Sequence, residues 1–154
     1  MMQVEIINFV PKFISFYEAV RHEKEEEVIW QIWKERYGFA AVPPGEEGQI
    51  IARDMLRKAW PKYEADIEQI KRFDPEKIQM EKALEEVKRL LGCTILVPFN
   101  VYLFIGFFEG NPFAAPLKDG KAALAWPVEV EFSEILLRHE LTHLVHNKMD
   151  STIR

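Results

Sequence analysis

The chain has 154 residues, of which 29% are charged and 48% hydrophobic, with seven glycines, nine prolines and one cysteine. This is the composition of an ordinary globular domain, and it excludes collagen-like, low-complexity and disulfide-scaffold proteins. Twenty Lys and Arg against twenty-five Asp and Glu leave a net charge of −5, without a long basic block, which disfavours nucleic acid as a partner.

A length of this order supports a core without a metal or disulfide, so a metal here is expected to serve function. Cys93 stands alone and reads as a small buried hydrophobe. The N-terminus, MMQVEIINFVPKF, lacks a basic stretch followed by an apolar run and a cleavage site, so a cytoplasmic location is the expectation. The longest apolar run, Cys93 to Phe108, is interrupted by Pro98 and Asn100 and is too short to cross a membrane.

Residues 1–92 carry helical periodicity in three segments. From Lys12 to Tyr37, Phe13, Phe16, Tyr17 and Val20 give way to the charged run Arg21 to Glu27, after which Val28, Ile29, Ile32 and Trp33 resume the pattern; Gly38 is a suitable stop. His22, inside the charged run, reads as a solvated surface residue. Ala41 to Gly48 forms a linker-like turn. Leu56, Trp60, Tyr63, Ile67 and Ile70 then mark an amphipathic helix, in which Pro61 predicts a kink or break near Trp60. Asp74 caps the next helix, with Pro75 at its first position, the stripe Met80, Leu84, Val87 and Leu91, and Gly92 as its stop.

Residues 93–132 turn to β-branched and aromatic types, predicting a small sheet with strands over Thr94–Pro98, Val101–Phe107, Ala122–Trp126 and Val128–Phe132. Between them Glu109 to Gly120, ending in the turn pair Asp119-Gly120, reads as an irregular loop. Ser133 is a good N-cap for a final helix over 133–148. The whole is an α+β fold in one domain, 1–154: helices first, then the sheet, then the last helix.

That last helix carries His139, Glu140 and His143 in the arrangement H-E-x-x-H. At about 100° per residue the two histidines lie about 40° apart on successive turns, so their imidazoles converge on one ion. Zinc suits two nitrogens with further positions left open. Glu140 lies about 100° from His139, flanking the ion, where its carboxylate is placed to hold a zinc-bound water and accept its proton. Leu137, Leu141 and Leu144 give the helix an apolar back. His146 also falls on the ligand face, but about 10.5 Å along the axis from His139, so it is a candidate third ligand at the expense of helix strain, or else a residue that supports the ligating histidines or faces solvent.

These features resemble the zincin metallopeptidases, whose H-E-x-x-H helix follows a small mixed sheet. The stretch from Thr94 through His146, with VYLFIGF, a glycine-containing loop, ALAWP and LLRHELTHLVH, is similar to the bacterial YjaZ-type predicted zinc-dependent proteases. The resemblance implies a zinc-dependent peptidase acting on peptide or protein substrates, with His139 and His143 as ligands and Glu140 as general base. Metzincins would carry glycine at position 146 and histidine at 149, where this chain has His146 and Met149. Thermolysin-like relatives draw a third ligand from a downstream helix, so the resemblance implies either a chain truncated at its C-terminus, the favoured expectation, or a third position filled by water, by a neighbouring chain or not at all.

Two other readings stay open: a catalytically incomplete zincin-like binding or scaffold module, and a zinc hydrolase acting on a non-peptide amide. For a peptidase, the strand Ala122–Trp126 is the expected edge for aligning an extended substrate by β-augmentation.

Overall fold

The computed structural model describes residues 3–40, 42–116 and 121–153. Its order is β1 (Val4–Asn8), α1 (Val10–Val20), α2 (Glu26–Arg36), α3 (Glu46–Lys71), a single 3-10 turn at Pro75–Ile78, α4 (Met80–Leu91), β2 (Phe99–Phe104), β3 (Phe113–Pro116), β4 (Ala122–Pro127) and α5 (Glu134–Ile153). The architecture is α+β around a mixed four-stranded sheet ordered β1-β2-β4-β3. β1, β2 and β4 run parallel, with Val4 opposite Phe99 and Phe99 opposite Ala122, while β3 pairs antiparallel with β4.

Period-two alternation in β2 sends Phe99, Val101 and Leu103 to one face, where they join Val4, Leu124 and Trp126 beneath α4 and α5. A second apolar cluster lies among α1, α2 and α3 and takes in Ile105 and Phe107, which follow β2. Phe73 and Val128 pack against both clusters.

Several sequence expectations hold. The stripe of α4 is buried at Met80, Leu84 and Val87, and Cys93 is buried. Gly92 closes α4 at φ +68°. Gly38, also at φ +68°, sends its N–H back to the Trp33 carbonyl at 2.8 Å after α2, and a left-handed residue at this position favours glycine.

Others are corrected. The 12–37 segment is two helices, because residues 21–25 offer no apolar side chain to bury. Pro61 does not break α3, which runs through it. The bond Pro61 cannot donate would go to Arg57, on the solvent side, while Leu56, Ala59, Tyr63 and Ile67 anchor the opposite face. Asp74 does act as a cap, its carboxylate accepting the Glu76 N–H at 3.0 Å. The element it caps is the 3-10 turn, because Gln79 at φ 50° separates that turn from α4.

The sheet differs most. β1 lies in the N-terminal segment, where no strand was expected. Thr94–Pro98 is not a strand: the Val97 N–H is taken by the Gln3 side-chain oxygen at 2.9 Å, and pairing starts at Phe99. Residues 105–107 leave the sheet for the helical layer. β3 occupies part of the expected irregular loop, whose Asp119-Gly120 pair lies outside the described residues. Val128–Phe132 is a turn region without strand pairing. β4 is flanked on both sides by β2 and β3, so Ala122–Trp126 is an interior strand and not an edge. The last helix runs on past Lys148 to Ile153.

Candidate metal site on helix α5

The site is built on α5. Ser133 opens this helix with its hydroxyl accepting the Leu136 N–H at 3.2 Å, as its residue type suggests. Leu137, Leu141, Leu144 and Val145 are buried against the sheet and α4. Arg138 pairs with Glu86 of α4, a contact that holds the Glu86 carboxyl below its ordinary range. With one face locked in this way, the opposite face, bearing His139, His143 and His146, is exposed to solvent.

His139 and His143 are brought together as their spacing predicts. Their Nε2 atoms stand 3.2 Å apart, and the rings meet edge to face with centroids at 4.5 Å. An ion 2.05 Å from both nitrogens would subtend roughly 103° between them, close to the tetrahedral angle zinc adopts. The donor set and the spacing therefore fit two zinc ligands.

Glu140 is half-buried, one residue round the helix from the exposed pair. Thr142 turns its hydroxyl inward, donating to the Arg138 carbonyl at 2.7 Å. Among the described residues no three His, Cys, Asp or Glu side chains gather closely enough to hold one ion. His146 is thus on the expected face without being assembled with the pair.

Sequence reasoning passed over a second polar cluster, at the exit of β2. The Tyr37 hydroxyl donates to the Ile105 carbonyl at 2.8 Å and accepts the Ile105 N–H at 2.7 Å. The Tyr63 hydroxyl donates to the Gly106 carbonyl at 2.5 Å. Glu129, between β4 and α5, accepts the Phe108 N–H at 3.4 Å through Oε1, while its Oε2 is buried without a hydrogen-bond partner. A side chain at position 106 would collide with that carboxylate, the ideal Cβ falling 2.7 Å from Oε1. Burial pushes the Glu129 carboxyl up from its ordinary value and both tyrosine hydroxyls well above theirs. The stretch WPVEVEF holds two acids among apolar residues, and nothing in the sequence separates Glu129 from Glu131.

Compared with protein-family models, with curated proteins and with solved structures, the chain matches none. No helix among the described residues is long and apolar enough to cross a membrane.

Proposed function

We propose that this chain is a zinc-dependent metallopeptidase domain of zincin type. The observation that carries the reading is the convergence of the His139 and His143 Nε2 atoms at 3.2 Å on the solvent side of a helix whose other side is fixed in the core. His139 and His143 would hold the ion. Zinc bound there supplies a Lewis acid that polarises a carbonyl and makes water a nucleophile near neutral pH. Glu140 takes the proton of the attacking water and delivers it to the leaving amine. Glu140 lies half-buried beside the exposed histidine face.

The strand able to align an extended substrate is β3. Among the described residues it pairs only with β4, leaving its other side open, and α5 lies against it. The absence of a three-residue ligand cluster among the described residues favours one rival, a zincin-like module that binds partners without turnover.

The discriminating experiment loads the protein with zinc and incubates it with an unfolded protein, beside a Glu140→Ala variant. Hydrolysis by the parent, lost in a variant that still holds zinc, supports the peptidase. Two inactive proteins that bind the same partner support the module, and hydrolysis that survives the substitution removes Glu140 from the chemistry.

A further inference from the structure

Away from the histidine pair, the 3-10 turn after α3 and the segment between β4 and α5 enclose a half-open cavity of about 260 Å³. Its wall is apolar: Trp126 at the base, Phe132 tilted against it with ring centroids 5.7 Å apart, and Val128 and Ile78 at the sides. A dry apolar cavity of about 150 Å³ accommodates a benzene ring, so this one has room for a single large side chain.

The rim is cationic. Arg72 and Lys77 line the cavity, both exposed, and neither is in an ion pair within 4.0 Å among the described residues. Asp74 is the one acid in the lining, its Oδ1 accepting the Glu76 N–H, and the rim keeps an excess of one positive charge. An apolar wall beneath a rim that carries two cations against one acid is complementary to a group that joins hydrophobic bulk to a carboxylate.

Exposed apolar side chains also follow the cavity in the chain. Phe132 is 40% exposed, and Ile135, three residues on and one turn before His139, is 84% exposed. An occupant longer than the cavity has an apolar track to lie on.

We infer that this cavity binds the free C-terminus of a polypeptide ending in a large hydrophobic residue. The terminal side chain enters against Trp126 and Phe132, the α-carboxylate meets Arg72 and Lys77, and the preceding residues run past Ile135. No metal is involved, so the inference stands apart from the metallopeptidase reading.

The test is fluorescence anisotropy with a dye-labelled peptide, Gly-Ser-Gly-Ser-Phe, as free acid and as C-terminal amide. The acid binds, the amide binds at least about tenfold more weakly, and Arg72→Glu or Lys77→Glu weakens the acid to a similar degree, the loss of a charge-assisted hydrogen bond being worth that much. Both positions are exposed, so the charge reversals leave the fold in place, which circular dichroism verifies. Equal binding of acid and amide, or no binding of either, overturns the proposal. So does 3-phenylpropionate displacing the peptide with an affinity equal to the peptide's own, since the site would then serve a free aromatic acid.

Discussion

Two neighbouring residues inside the H-E-x-x-H motif, one buried and one half-buried, differ in what they anchor, and their substitutions report directly on how α5 is rotated. Leu141 is 0% exposed and packs among Leu84, Val101 and Leu124. Truncating it to alanine removes its packing and leaves a void that the sheet and α4 close only in part. Leu→Ala changes at such sites cost about 2.7–5.0 kcal/mol, and about 3 kcal/mol is expected here. In a domain of this size that lowers Tm by roughly 9 °C, at about 3 °C per kcal/mol. Thr142→Ala removes only the back-bond to Arg138 on a half-buried position and replaces a β-branched residue with a good helix former, so its effect stays within about 0.5 kcal/mol. Urea unfolding followed by circular dichroism measures both, with slopes matching the parent's. A loss below about 1 kcal/mol for Leu141→Ala, or equal losses for the pair, would mean that the leucine face does not anchor α5 and that the histidines are aimed elsewhere.

Glu129 gives a pH signature. Its folded-state pKa is raised by burial, so the protonated form is favoured in the native state. That contribution is fully present below the ordinary carboxylate pKa of about 4.3 and is lost as pH climbs through the folded value. Glu129→Gln does not titrate, so its stability relative to the parent should rise across that window, and a pH-independent difference would refute the assignment. Tyr37→Phe strips both partners from the Ile105 backbone and should cost about 2–3 kcal/mol, with the Ile105 amide exchanging faster in deuterated solvent; unchanged exchange would contradict the staple. Gly48→Ala should lower Tm more than Gly92→Ala. A Cβ at position 48 would sit 1.6 Å from the Pro43 carbonyl oxygen, whereas at position 92 it meets open space and only the φ of +68° opposes it. The reverse order of melting would show that the 42–45 loop yields freely.

What the sequence disclosed followed the range of the forces involved. α4 and α5 were legible because their apolar stripes, the Ser133 cap of α5 and the terminal glycine of α4 act within a few residues. The histidine pair was legible for the same reason, since one helical turn fixes its geometry. β1 escaped notice because it is five residues long and pairs with Phe99–Leu103, more than ninety positions away. β3 lay hidden among prolines and glycines because β4, not local propensity, extends it. Thr94–Pro98 has strand-like residues, yet the Gln3 side chain takes the Val97 N–H that a sheet neighbour would have needed. Glu129 could not be singled out among twenty-five acidic residues, since only the folded chain lays Tyr37, Tyr63 and Gly106 around the exit of β2.

A zinc site on α5 requires the two imidazoles 3.2 Å apart to act as a chelate, and zinc titration by calorimetry tests this most directly. We predict one zinc per chain. His139→Ala and His143→Ala should each weaken binding at least about a hundredfold, because a lone imidazole forfeits the second zinc–nitrogen bond, while His22→Ala on the exposed turn after α1 changes nothing. Zinc bound equally well by all four proteins would contradict the claim that the pair on α5 forms a metal site.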